Sequence, residues 1–269
     1  MKNLFLLSCL LPVQFCFSQG IQTPFFTGPA GMSAYSNRFT DCFSQLSNQA
    51  ALAAQRRFSA GVLVENKFLL PELNQFSAAI AIPAGNGAAG ITGSWFGNNT
   101  YNESCIGIAY GKNLGRIGIG IRFNYTMIRI AGYGSIAAMG VSAGSIWQVT
   151  PKLCTGIELV NPAGGKFGKG SRETLPAVYK TGFGYEVSEK LLLVTEVIKT
   201  EDQPVNLHAG FQYIIVDRLI TRFGITTETG SPYFGVGWKW KGVQADVLAG
   251  YHAQLGITPG LMLIYSGEK

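Results

Sequence analysis

Apolar residues alternate with glycine, small or polar residues through most of the chain after Arg56. The clearest run carries its apolar side chains at Ile117, Ile119, Ile121, Phe123, Tyr125 and Met127. Because successive side chains of a strand point to opposite faces, this alternation predicts strands with one apolar face. About fourteen such strands are predicted, over 57–67, 75–83, 88–97, 103–111, 116–129, 137–149, 153–161, 175–187, 190–199, 204–215, 218–227, 232–241, 242–252 and 257–266.

The lengths of the predicted strands and of their connections point to one architecture. Most of these strands hold roughly nine to thirteen residues, which suits a tilted strand that crosses a bilayer. Short links such as 151–152 alternate with longer ones, of which 162–175 is the longest. Alternating short and long turns are typical of a bacterial outer-membrane barrel. The sequence therefore predicts an all-β fold, a transmembrane barrel of about fourteen antiparallel strands located in the outer membrane.

Composition supports an outer wall that does not face water. Of 269 residues, 47% are hydrophobic, only 13% are charged and 35 are glycine. Such a chain is too apolar to be disordered and carries too little charge for the surface of an ordinary soluble enzyme. A soluble lipocalin-like barrel or jelly roll would show the same alternation with its faces inverted. The small residues on the polar face favour a filled lumen, and the aromatic residues near strand ends favour a membrane barrel.

The first residues read as an export signal. Lys2 precedes the apolar stretch 4–17, and Ser18 offers a cleavage site, so residues 1–18 are predicted to be a signal peptide. Residues 6–9 (LLSC) resemble a lipid-attachment motif, although few residues precede Cys9. The mature chain shows no convincing transmembrane helix. Residues 40–55 show the best helical periodicity, with Asp41 as a candidate cap.

Several function classes find no support in the sequence. The net charge is +6, but the basic residues are scattered, which argues against nucleic-acid binding. Five cysteines without CxxC spacing and two histidines predict no metal site and no cofactor. His208 and His252 fall on the inward face without a convincing catalytic constellation, so no enzyme is predicted. The glycine-rich stretch 164–170 is interpreted as a surface loop.

Three features carry a resemblance to a known group of proteins. They are residues 31–36 (GMSAYS) with 41–53 (DCFSQLSNQAALA), the last hairpin over 245–265, and the strand count and turn alternation across 20–269. In these features the chain resembles the PorV/PorQ-type proteins within the FadL-like superfamily of outer-membrane barrels from Bacteroidetes. The family's Asn-Pro-Ala-Gly-Leu-like motif is altered here, with Gln49 in place of the proline and Ala51 in place of the glycine.

The resemblance implies an N-terminal plug over 19–55 and a barrel over 56–269. Candidate plug residues are Phe25, Phe26, Tyr35, Phe43 and Leu46. Candidate charged residues facing the lumen are Glu65, Arg122, Glu158, Lys180, Glu186, Glu196, Arg222, Lys239 and Asp246. These charges would either form a selectivity lining or pair with one another and with the plug. Their mixed signs favour pairing, because a strongly selective channel shows one predominant sign.

Two functions follow from the resemblance. In the first, the barrel is a non-enzymatic adaptor or structural subunit of a larger outer-membrane protein complex, such as the type IX secretion apparatus or the barrel-assembly machinery, with membrane lipid around it. In the alternative, it is a FadL-like passive transporter that passes a hydrophobic small molecule through the plugged lumen and out through a wall opening. Short external loops and a lumen of small residues favour the adaptor. A wall kink at Pro83 would favour the transporter.

Overall fold

Fourteen antiparallel strands form one closed barrel in the computed structural model, which describes residues 33–168, 174–227 and 230–267. Each strand pairs with its neighbours in sequence, and β1 pairs with β14 to close the ring. The predicted all-β fold of about fourteen strands is confirmed. The strands are β1 Ser59–Asn66, β2 Asn74–Pro83, β3 Gly87–Gly97, β4 Tyr101–Asn113, β5 Ile117–Ile130, β6 Gly134–Gln148, β7 Leu153–Val160, β8 Val178–Glu186, β9 Leu191–Thr200, β10 Val205–Val216, β11 Leu219–Thr226, β12 Ser231–Trp240, β13 Val243–His252 and β14 Gly256–Ser266.

The pleat of the strands divides the barrel into an apolar outer wall and a buried inner wall. On β4, Ile106 and Ile108 are exposed, whereas Gly107 and Ala109 between and beside them are buried. The same division recurs on β14, where Leu261 and Leu263 face outward. A contiguous apolar surface of this extent would be unfavourable in water and is the surface that hydrocarbon chains solvate.

The two ends of the barrel differ in the length of their connections. At one end, three-residue turns such as 84–86 and 114–116 join the strands. The first residue of β1 and the last residue of β14 lie at the same end. At the other end lie the two longest links, 67–73 and 161–177, beside turns of three or four residues such as 98–100. We call these the short-turn end and the long-loop end. The predicted long link over 130–136 is wrong in part, because β5 and β6 continue as a tall hairpin whose turn is only 131–133.

Residues 33–58, which we call the inner segment, precede the barrel, and most of them are buried inside it, whereas 37–38 and 56–58 are exposed. The helix expected over 40–55 is broken into a short α-helix, Ser44–Ser47, and a 3₁₀ helix, Gln49–Ala54. The break is at Asn48, whose backbone is extended and whose side chain accepts a hydrogen bond from Ala50 N. Asp41 still acts as a cap, because its Oδ1 accepts from the amides of Phe43 and Ser44.

Within the described residues, no helix has the length and apolar character needed to cross a membrane. The predicted signal peptide over 1–18 and the first part of the predicted plug, 19–32, lie outside the described residues.

Candidate functional site

The inner segment reaches from one side of the lumen to the other. The Phe43 ring lies against Gly61 of β1, where a β-carbon would stand 2.7 Å from it. The Tyr35 ring lies against Gly182 of β8, seven strands away around the fourteen-strand ring. Both aromatic residues are fully buried. The segment therefore crosses the full width of the barrel.

Inward glycines make room for this segment. A β-carbon on Gly120 of β5 would stand 2.6 Å from the amide nitrogen of Ala50, and one on Gly111 of β4 would stand 2.6 Å from the β-carbon of Leu52. Real β-carbons do not approach other atoms so closely, so alanine at these positions would displace the segment. Many of the glycines in this chain thus hold the wall close to the polypeptide inside it.

Most charged residues expected in the lumen are buried on the inner wall. Glu65 is half-buried near the long-loop end, whereas Lys239 has the same strand parity but is exposed, because it stands next to the last residue of β12 at the rim. The fully buried members of the set are Arg122, Glu158, Lys180, Glu186, Glu196, Arg222 and Asp246.

The first cluster of these charges joins the wall to the inner segment. Glu158 pairs with Arg122 at 3.4 Å and with Lys180 at 2.8 Å. Arg122 also donates to the backbone oxygen of Gln45 at 2.9 Å, and Lys180 donates to that of Ser47 at 3.3 Å. Each cation thus bonds to both a wall carboxylate and the inner segment.

A second cluster joins wall strands to one another. Arg222 of β11 pairs with Asp246 of β13 at 2.6 Å and donates through Nε to Gln212 of β10 at 2.9 Å. Gln244 donates to the same Asp246 oxygen at 2.8 Å. The pair is almost completely buried, so its charges are balanced locally rather than by solvent.

Two further carboxylates hold the start of the inner segment. Glu196 accepts from the Tyr35 hydroxyl at 2.7 Å and from the Ser47 hydroxyl at 2.8 Å. Glu186 accepts from the Ser36 hydroxyl at 2.7 Å. Burial, then the charge of Glu196, raises the pKa of the Tyr35 phenol well above its usual range, so this group remains a hydrogen-bond donor.

Sequence reasoning missed the amide side chains of the inner segment. Gln45 donates to the backbone oxygen of Ile80 at 3.1 Å, and Asn48 donates to that of Ile157 at 3.0 Å. Gln49 is also completely buried. Three amides within five residues of an otherwise apolar, alanine-rich segment were the available signal. Of the other plug candidates, Leu46 packs against the cluster around Phe43, while Phe25 and Phe26 lie outside the described residues.

The wall is interrupted on the long-loop half of β6. Residues 142–148 of β6 pair with β7, but residues 134–141 extend beyond the end of β7 at Val160. The described part of loop 161–177 lies beside them, where Asn161 N donates to Val141 O and Gly168 N donates to Ala137 O. Phe167 and Leu175 of this loop are fully buried against the inward side chains Ile128 and Ala138. We call residues 134–141 with this loop the wall break.

Pro83 does not form the wall kink that the transporter alternative anticipated. It is the last residue of β2 at the short-turn end and pairs with Ala88 of β3. The discontinuity lies instead at β6, where strand length rather than proline creates it.

The two histidines are used locally. His208 lies 3.0 Å from the amide of Asn206, and His252 accepts from the backbone amides of Gln254 and Leu255 in the turn before β14. In the described ranges, no group of three or more His, Cys, Asp or Glu residues is placed to hold a metal ion.

No protein-family model and no curated protein matches this chain. Solved structures do. The toluene transporter TbuX of Ralstonia pickettii matches with a TM-score of 0.62 and 11% identity, over 89% of this chain and 97% of that one. The monoaromatic hydrocarbon channel CymD matches with a TM-score of 0.60 and 11% identity, over 90% and 98% of the two chains. A FadL homologue from Pseudomonas aeruginosa matches at 0.57 and 12%, over 88% and 94%.

This chain folds as a FadL-like outer-membrane barrel. The predicted outer-membrane location is confirmed, and so is the likeness of the fold to FadL-like barrels, whereas the closer likeness to PorV/PorQ-type proteins finds no support. The expected role as an adaptor is wrong, because the matched barrels are described as hydrocarbon channels and a toluene transporter. A place in type IX secretion finds no support either. Association with a larger complex stays a prediction.

Proposed function

We propose that this barrel is a passive transporter of small hydrophobic molecules, which enter at the long-loop end and leave sideways through the wall. The observation that carries the proposal is the wall break, where a loop rather than a strand lies against the edge of β6 and buries Phe167 and Leu175. The descriptions of TbuX as a toluene transporter and of CymD as a monoaromatic hydrocarbon channel support the same class of substrate.

The inner segment makes a straight path through the barrel unfavourable. It crosses the lumen from β1 to β8 and is bonded to four wall residues, Arg122, Lys180, Glu186 and Glu196. A hydrophobic molecule that stays in the long-loop half avoids breaking these buried polar contacts. Opening there would break the hydrogen bonds between the described part of the loop and β6, together with the contacts of Phe167 and Leu175.

The wall break offers such a molecule an apolar route. Phe167, Leu175 and Ile128 form its inner surface, and Met139 on the outer face of β6 is exposed toward the lipid. Transfer of apolar surface from water into hydrocarbon is favourable at roughly 25 cal/mol per Å². Passive transport needs no other energy source.

Uptake measured in cells tests the function directly. The chain is expressed in an outer-membrane host that lacks channels of this kind, and entry of radiolabelled toluene is compared with entry of a polar sugar of similar size. Faster toluene entry than in cells with the empty vector, with unchanged sugar entry, is expected. Toluene entry equal to the vector control would overturn the proposal.

A disulfide across the wall break tests the route. Asn161 Cγ lies 3.0 Å from the position of a β-carbon on Gly140, which is the reach that a disulfide requires. In Gly140→Cys/Asn161→Cys, oxidation should slow toluene entry and reductant should restore it. Gly140→Cys alone is the matched control. It shows whether the new cysteine pairs with one of the native cysteines Cys42, Cys105 and Cys154, which are unpaired. Toluene entry at the same rate in the oxidised and the reduced protein would exclude this route.

A further inference from the structure

We propose that the long-loop half of the lumen holds a binding site for hydrophobic molecules that carry a primary ammonium group, centred on Glu103. The inference deepens the proposed function and rests on it for the route of the ligand. Binding, however, is measured apart from transport, so the two ideas fail separately.

The site is built from one register row of the inner wall. Glu65 of β1 pairs with Gln75 of β2, Gln75 with Phe96 of β3, and Phe96 with Glu103 of β4. Side chains directly opposite each other on neighbouring strands are close neighbours, with β-carbons about 4.5–5.5 Å apart. Two carboxylates therefore flank an amide and an aromatic ring just inside the long-loop end.

Glu103 has an unused acceptor. Its side chain is 4% exposed, and its Oε1 accepts from the Tyr101 hydroxyl at 2.5 Å. Tyr101 lies two residues nearer the long-loop end on the same face, so the carboxylate is directed toward the mouth. Its other oxygen, Oε2, is buried and accepts no hydrogen bond from the described residues. A buried carboxylate oxygen left in this state is unfavourable and gains strongly from a donor.

The chain places its own ammonium group beside this row. Lys67 follows β1 directly, and its Nζ lies 5.1 Å from the centroid of the Phe96 ring. Its positive charge favours the ionised forms of Glu65 and Glu103, which burial opposes. One ammonium group thus serves two carboxyl groups, and a cation over an aromatic face is a favourable arrangement. A ligand ammonium would pair with the carboxyl group that Lys67 leaves without a cation.

Apolar side chains adjoin the carboxylate on the other side. Glu103 pairs across strands with Ile128 of β5, which belongs to the cluster with Phe167 and Leu175 at the wall break. The hydrocarbon body of a ligand would lie on this cluster while its head group reaches Glu103. An anionic head group would instead meet two carboxylates, and a neutral one would leave the charge unbalanced.

Calorimetry with three matched ligands tests the site. The full chain in lipid nanodiscs is titrated with benzylamine, benzyl alcohol and benzoate, and empty nanodiscs give the blank. Benzylamine is expected to bind about tenfold more tightly than benzyl alcohol, the value of one charge-assisted hydrogen bond, and benzoate more weakly than either. Equal affinities for benzylamine and benzyl alcohol would overturn the proposal.

Two substitutions with opposite expected signs sharpen the test. Glu103→Gln should weaken benzylamine binding about tenfold and leave benzyl alcohol unchanged. Lys67→Met should strengthen benzylamine binding several-fold, because it removes the competing ammonium. Glu72→Gln, an exposed carboxylate at the same end, is the control and should change neither.

Folding of each variant is checked by its heat-modifiable migration on a gel. If a Glu103→Gln barrel does not fold, the Lys67→Met arm still decides, since weaker or unchanged benzylamine binding there contradicts the site. Benzylamine binding as expected without any toluene entry would refute the transporter and leave this site standing.

Discussion

The backbone oxygen of Tyr35 lies against Gly184 of β8, in the space that a β-carbon on this glycine would occupy. The same tyrosine spreads its ring over Gly182 and donates to Glu196 on β9. One residue of the inner segment thus touches two neighbouring strands by shape and by a charge-assisted bond. Tyr35 can hold this position only because Gly182 and Gly184 carry no side chain.

Gly184→Ala should therefore loosen the inner segment without opening the barrel. The added methyl group must push the backbone at Tyr35 away, which costs about 1–3 kcal/mol. Hydrogen exchange read by mass spectrometry should show faster exchange of residues 33–40. The folded barrel should still migrate as a compact band before heating.

Gly93→Ala is the matched control for this change. Gly93 lies on β3, and a β-carbon there meets nothing within 4 Å. In Gly93→Ala, the backbone amides of the inner segment should exchange at the native rate. Equal exchange in both variants would contradict the close fit at Gly184.

The strands were predictable where apolar residues alternate with small or polar ones, as along β5 and β12. Predicted and observed strands agree in number, and β7 differs only at its last residue, 161 against Val160. The largest differences at the start of a strand are three residues: β8 begins at Val178 instead of 175, and β6 begins at Gly134 instead of 137. Its first residues, a glycine and a serine, carry no apolar signal on either face.

The internal contacts were less predictable because they join residues far apart in sequence. Parity placed Glu158 and Lys180 on the inner wall, but their pairing depends on the β7–β8 register, which places them opposite each other. The wall break escaped detection for a related reason. It results from the unequal lengths of β6 and β7, which no local pattern encodes, whereas Pro83 offered a visible but misleading signal.

The bond between Tyr35 and Glu196 should contribute measurably to holding the inner segment. Tyr35→Phe keeps the ring over Gly182 but removes the donor to a carboxylate, which costs about 1–3 kcal/mol. Hydrogen exchange of residues 33–40 should accelerate accordingly. A double-mutant cycle with Glu196→Gln should show a coupling of about 1 kcal/mol or more.

Tyr101→Phe serves as the control, since Tyr101 bonds to Glu103 at the long-loop end, far from Tyr35 along the wall. Additive effects of Tyr35→Phe and Glu196→Gln would show that the 2.7 Å bond contributes nothing in solution.

The Arg222–Asp246 pair should stabilise the wall between β11 and β13. Asp246→Asn leaves a buried guanidinium without its carboxylate, and removal of one partner from such a pair costs about 3–5 kcal/mol. The temperature at which the compact gel band converts to the unfolded one should fall. Adding Arg222→Met should recover part of the loss, because the unpaired charge is then gone.

Asp217→Asn is the comparison for this pair, because Asp217 is exposed in the turn before β11. It should leave the conversion temperature unchanged. A double variant less stable than Asp246→Asn alone would contradict local charge balance as the role of this pair.

Three tryptophans should report the lipid boundary at the short-turn end. Trp147, Trp238 and Trp240 are exposed on the outer face near the ends of β6 and β12 at that end. Indole rings favour the interface between head groups and hydrocarbon. In vesicles, lipids brominated close to the head group should quench these tryptophans more strongly than lipids brominated near the chain ends. Variants that keep one tryptophan each separate the signals.

Trp95 is the internal comparison, because it lies on the outer face near the opposite end of β3, with its ring 5.7 Å from that of Phe76. Iodide added outside the vesicles should quench all four weakly. Strong iodide quenching with no effect of brominated lipid would show that the apolar wall faces water.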